Sequence, residues 1–233
     1  FAVDVAAVRA AGRGANIVWL CSPNNPTGLP EPDGAIEALL HGLLVDATES
    51  GVEPPAVVLD EAYAEFVGQS LVDLRVGYPR FIIIRTASKA YALAGLRVGF
   101  ALARPEIIAR MAPYRPPGSV SVPSVAIVTE ALLDDAIMAE NLERVVRERA
   151  RLASALGSSG WSVGPSVTNF LLVDFGTPAH AGVVAEHLLR RGLVPRTFGR
   201  GHPLAHCLRI TVRDIDENDR LIEAAGSFGE ARS

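Results

Sequence analysis

The chain has 233 residues, 49% hydrophobic and 21% charged, enough apolar material for the core of one or two domains. Its 22 Lys plus Arg against 26 Asp plus Glu give a net charge of -4 with no basic stripe, which argues against nucleic-acid binding. Only Cys21 and Cys207 are present, which argues against a disulfide framework and for a reducing cytoplasm, and no apolar run reaches the roughly 20 residues of a membrane span.

Phe1-Ala-Val-Asp4 has neither an initiator Met nor a basic leader and reads as an interior cut through a longer chain. Asn16–Leu20 is a short apolar run stopped by Ser22-Pro-Asn-Asn-Pro-Thr-Gly28. A helical pattern follows from about Pro32 to Thr48. Ala56–Leu59 and Phe81–Ile84 read as buried strands, and Arg97–Leu102 as a fourth. Continuous apolar strands interleaved with helices predict an α/β fold: a three-layer α/β/α arrangement around a mostly parallel sheet. From Pro123 the pattern is helical, with Met138, Leu142, Val145, Leu152 and Leu156 in one stripe and Gly157 as a stop. A smaller α+β segment follows: a strand over Thr168–Val173, a helix over Pro178–Arg191, a strand over Cys207–Val212 and a helix over Asp216–Ala225. The expected organisation is the remainder of a large domain over 1–134, then a connecting helix and small domain over 135–233.

Three polar motifs fall at the carboxyl ends of predicted strands: Asn24-Asn25-Pro-Thr-Gly28, Asp60-Glu-Ala-Tyr63, and Thr86-Ala-Ser88-Lys89. In open α/β sheets, ligands sit outside the carboxyl ends of strands. The residue types suit a pyridine aldehyde phosphate. Lys89 is an amine nucleophile for a carbonyl and is placed to move a proton once released. Asp60 can keep a ring nitrogen protonated. Tyr63 and Asn25 can hydrogen-bond a ring hydroxyl, and Thr86, Ser88 and Arg97 can bind a phosphate.

Ser-Pro-Asn-Asn-Pro-Thr-Gly28, Asp60-Glu-Ala-Tyr63 and the run from Arg85 to Arg97 resemble the fold-type I pyridoxal-phosphate (PLP) aminotransferases in order and spacing. The resemblance covers essentially the whole chain and is strongest to the histidinol-phosphate branch. It implies that Lys89 is the Schiff-base lysine and that Asp60, Tyr63, Asn25, Thr86, Ser88 and Arg97 hold PLP. It also implies that Arg209 grips the substrate carboxylate or its equivalent, and that Arg196 contacts the substrate phosphate. The expected activity is transamination between histidinol phosphate and 2-oxoglutarate in histidine biosynthesis, by a cytoplasmic homodimer. The family's N-terminal third has no counterpart here, so an open sheet edge and an incomplete pocket are expected. Three alternatives stay open: an aromatic aminotransferase, a threonine-phosphate decarboxylase of the same fold, and an incomplete fragment acting only as a structural or interaction module.

Other motifs carry no chemistry. Asp214-Ile-Asp216-Glu-Asn218 lacks the glycine and final glutamate of a calcium loop and reads as a helix start. His202 and His206 have metal spacing, but Pro203 spoils the helix, so no metal is expected. Cys21 and Cys207 read as small core residues.

Overall fold

The computed structural model describes residues 2–230. These divide into two compact units: the chain up to Asn25 together with Pro30–Asn141, and Pro26–Leu29 together with the chain from Leu142 onward.

The first unit contains α1 (Val5–Gly12), β1 (Ile17–Cys21), α2 (Ala35–Ser50), β2 (Ala56–Asp60), β3 (Phe81–Thr86), β4 (Gly99–Leu102), α3 (Pro105–Met111), α4 (Val122–Leu133) and the start of α5 (Asp135–Ser158). The sheet order is β1-β2-β3-β4. β1, β2 and β3 run parallel, in register Cys21↔Asp60 and Asp60↔Ile84. β4 pairs antiparallel to β3. The sheet is therefore mostly parallel, as the continuous apolar runs predict.

Side chains alternate across each strand. Val18, Val57, Leu59, Phe81 and Ile83 enter one core with Ile36, Leu39, Leu40 and Leu43 of α2, whose 3–4 spacing makes a single buried stripe. Tyr78 closes this core. Its hydroxyl donates to the Pro55 carbonyl at 2.7 Å, and burial pushes its pKa up to about 12. Asp60 and Thr86 are therefore on the opposite face of the sheet, at its carboxyl edge.

The second unit holds the rest of α5, β5 (Ser162–Val163), β6 (Phe170–Asp174), α6 (Pro178–Leu189), β7 (Cys207–Thr211) and α7 (Ile215–Glu230). Its sheet is antiparallel, in the order β5-β6-β7. One sheet face, through Leu171, Val173, Leu208 and Ile210, packs with Leu152 and Leu156 of α5, Val184 and Leu188 of α6, and Leu221 and Ala225 of α7.

Several boundaries differ from the sequence reading. α1 was not expected; Asp4 nucleates it by accepting the Ala7 amide at 2.9 Å. Arg97 is not in the fourth strand, which begins at Gly99. Arg97 instead caps the 3₁₀ turn Ala94–Leu96 in the left-handed region and is exposed. α5 runs through Gly157, and the left-handed glycine beyond its end is Gly160. Cys207 is buried, whereas Cys21 is only half-buried.

Candidate active site

Parallel pairing brings the carboxyl ends of β1, β2 and β3 to one edge of the first sheet. The loop after β1 carries Asn25, which is exposed. Asp60 ends β2, and its Oδ1 accepts the Ala62 amide at 3.0 Å, which orients the carboxylate as the chain turns. That turn buries Tyr63 at 5% exposure, and Lys89 Nζ lies 5.6 Å from the Tyr63 ring centroid. The amine and the phenol are thus brought together although 26 positions separate them in sequence.

The chain leaving β3 folds back on itself. Ala87 donates to the Val98 carbonyl at 3.2 Å, Leu93 to the Ala87 carbonyl and Ala92 to the Lys89 carbonyl, each at 3.1 Å. Thr86 and Ser88 place their hydroxyls 2.8 Å apart, and the Ser88 amide donates to Thr86 Oγ1. Ala92 and Arg97, with φ of 56° and 57°, are the non-glycine left-handed residues that bracket this loop. Such positions cost on the order of 1–3 kcal/mol each and persist where surrounding bonds over-determine them. Arg97 donates to the Ala94 carbonyl at 3.0 Å. The cluster offers an amine, a carboxylate, a phenol, two adjacent hydroxyls and an exposed guanidinium. That donor set fits a phosphorylated carbonyl cofactor: the amine for the carbonyl, the hydroxyls and guanidinium for the phosphate.

In the second unit, Arg196 and Arg209 exchange both backbone hydrogen bonds, at 2.9 and 3.0 Å, in an isolated antiparallel bridge. Directly opposed residues project to the same side, and two like charges there repel unless an anion lies between them. The Arg209 guanidinium carbon stands 5.1 Å from the Phe170 ring centroid, and Arg196 is exposed. Also in this unit, Arg149 donates to the Val167 and Thr168 carbonyls at 2.7 and 2.8 Å. Val167 in turn donates to the Gly28 carbonyl at 2.8 Å, which fixes the segment that follows Asn25.

Sequence reasoning missed the charges behind this sheet edge. Glu61 is 2% exposed and accepts from Arg85, Ser70 and the Leu71 amide; Arg85 also reaches Glu65. The available signal was alternation: the neighbours of Asp60 and Thr86 point to the other face of the sheet. His202 and His206 lie in a loop, where His202 Nδ1 accepts the Leu204 amide at 3.0 Å. Asp174, His206 and Cys207 bring ligand atoms within 4.8 Å of one another, and burial together with the nearby Asp174 pushes the Cys207 thiol up.

The chain adopts the fold-type I architecture of PLP-dependent transferases. It superposes over its full length on 64% of a histidinol-phosphate aminotransferase from Sinorhizobium meliloti, solved in complex with pyridoxal-5'-phosphate, with a TM-score of 0.87 at 29% identity. It belongs to the class I and II aminotransferase family, whose profile matches residues 1–224. Histidinol-phosphate aminotransferase from Thermococcus gammatolerans is 37% identical over 233 residues, covering 100% of this chain and 62% of that protein. The Symbiobacterium thermophilum protein of the same name is 39% identical over 225 residues, covering 94% and 58%. The chain thus spans about three fifths of the length of these curated relatives.

Proposed function

We propose that this chain is part of a PLP-dependent aminotransferase that exchanges nitrogen between histidinol phosphate and 2-oxoglutarate in histidine biosynthesis. The observation that carries the reading is the gathering of Lys89, Tyr63, Asp60, Thr86 and Ser88 at one sheet edge in a member of this family. The named relatives support the choice of substrate. Residues 1–134 then form the remainder of the PLP-binding domain, and 135–233 the connecting helix and small domain.

When bound, the cofactor supplies an electron sink for the substrate Cα. The Lys89 amine would hold the cofactor carbonyl and, when free, would move a proton at the substrate Cα. Asp60 would keep the pyridine nitrogen protonated. Tyr63 and Asn25 would hydrogen-bond the ring hydroxyl, while Thr86, Ser88 and Arg97 would hold the phosphate. Arg209 and Arg196 bind the anionic end of the substrate, a role that their same-side placement favours. The enzyme acts as a cytoplasmic homodimer in this reading; among the described residues, no helix is long and apolar enough to cross a membrane.

The test is a glutamate-formation assay on the protein at the full length of its relatives. Histidinol phosphate with 2-oxoglutarate should react far faster than phenylalanine. Lys89→Ala should lose about 10²-fold or more of the rate and the visible band of bound cofactor. Faster reaction of phenylalanine would move the protein to the aromatic branch. CO2 release from phosphothreonine without keto-acid consumption would make it a lyase.

A further inference from the structure

Behind the cofactor edge lies a buried ionic group that no assigned role uses. Glu61 Oε1 accepts the Leu71 amide at 2.7 Å, and Glu61 Oε2 accepts Ser70 Oγ and Arg85 Nε, each at 2.9 Å. Arg85 Nη1 donates to Glu65 Oε1 at 2.7 Å. The Arg85, Glu61 and Glu65 side chains are only 17%, 2% and 8% exposed. Two carboxylates share one guanidinium, and Glu65 Oε2 is buried without a hydrogen bond. Burying such a group is costly, and replacing buried ion pairs by apolar packing is often neutral or stabilising. Stability alone therefore does not account for it.

Its position does. Glu61 adjoins Asp60 and Arg85 adjoins Thr86, on the strands whose ends carry the cofactor groups. The Glu61 amide also donates to the Ile84 carbonyl at 2.9 Å, extending the β2–β3 ladder by one bond. Because side chains alternate, tying Glu61 to Arg85 on the core side fixes Asp60 and Thr86 on the other side. Tyr91, in the loop that carries Lys89, is buried at 9% exposure, and burial together with the Glu65 charge pushes its hydroxyl up.

We infer that Glu61, tied to Arg85, is a positioning residue that fixes the Asp60 carboxylate at the sheet edge beyond which Lys89 lies. This rests on the reading of Asp60 and Lys89 as cofactor groups. Glu61→Gln is the chosen perturbation because it keeps an acceptor for the Leu71 amide and leaves Arg85 balanced by Glu65. In the full-length holoenzyme it should raise the dissociation constant of pyridoxal phosphate about tenfold, as loss of a supporting shell does at other sites. It should also lower the visible circular dichroism per bound cofactor, a signal set by ring orientation that a loss of stability alone does not change. Glu61→Asp, which keeps the charge, should recover most of both. Wild-type affinity and visible dichroism in Glu61→Gln, whatever its melting temperature, would overturn the inference. If Glu61→Gln loses its far-ultraviolet signal, Ser70→Ala removes one hydrogen bond to Glu61; it should shift both readouts in the same direction, and no shift would overturn the inference equally. Lys89→Ala in the same assay separates the two claims: an unchanged visible band there refutes the cofactor reading itself.

Discussion

Gly28 should be intolerant of a single added methyl group. Its φ of +79° lies in the left-handed region, and a Cβ there would stand 2.5 Å from Ser166 Oγ and 2.9 Å from Ser166 Cβ. The backbone cannot easily retreat, because the Gly28 carbonyl accepts the Val167 amide at 2.8 Å. The left-handed conformation costs a non-glycine residue about 1–2 kcal/mol. Ser166 Oγ accepts the Thr168 amide at 3.1 Å and lies 3.0 Å from Thr168 Oγ1. Pushing it aside forfeits about 1 kcal/mol per bond. Gly28→Ala should therefore lose about 3 kcal/mol in urea unfolding followed by circular dichroism. Ser166→Gly alone should cost about 2 kcal/mol for the same two bonds. In the double variant the clash is gone and those bonds are lost only once, so the cost should be about 3–4 kcal/mol, below the additive sum of about 5. A Gly28→Ala protein within about 0.5 kcal/mol of wild type, or strict additivity of the pair, would refute the reasoning.

Three further outcomes are expected. Leu152→Ala, at a fully buried position of the second core, should destabilise by about 3–5 kcal/mol in the same unfolding assay. Ala92→Gly should stabilise by about 1 kcal/mol through relief of left-handed strain, read as a raised melting temperature; a lowered one would contradict the assigned conformation. Glu148, buried on α5, accepts from Arg151 and Asn218, and the Arg151 guanidinium holds its carboxyl below the ordinary range. A depressed folded value means that its contribution is present above the unfolded carboxylate range and is lost as pH falls through the folded value. Glu148→Gln should thus cost about 1–3 kcal/mol near neutrality, with the gap closing as acid protonates the Glu148 carboxyl. A gap that widens in acid would reverse the sign of the argument.

The strands were legible because Ile17–Cys21, Ala56–Asp60 and Phe81–Thr86 are continuous apolar runs closed by turn residues, and their parallel register follows once helices separate them. That pattern alone predicts Asp60 and Lys89 at one edge of the sheet. Arg97 was misplaced because Val98–Leu102 is apolar enough to carry the strand pattern one turn too far, and nothing in Ala94-Gly-Leu96 announces a left-handed cap at the next residue. Strand alternation puts Glu61 and Arg85 on the face opposite Asp60 and Thr86, but it does not say that two residues 24 positions apart pair there. α1 shows how little local signal a short helix needs: one capping aspartate and packing against α2 through Val5 and Val8 suffice.

The parallel order of β1, β2 and β3 has a kinetic consequence. Each step between these strands needs a crossover, so Asn25, Asp60 and Lys89, at or beyond the ends of three different strands, come to one edge only after non-local pairing is complete. Local helices such as α2 can form on their own, whereas pairing of distant strands is the slow part of folding. On the proposed reading of Lys89, capture of a coloured cofactor would then be a late event in the life of a nascent chain. Its appearance would time the closing of the sheet, where far-ultraviolet signals report only that helices have formed.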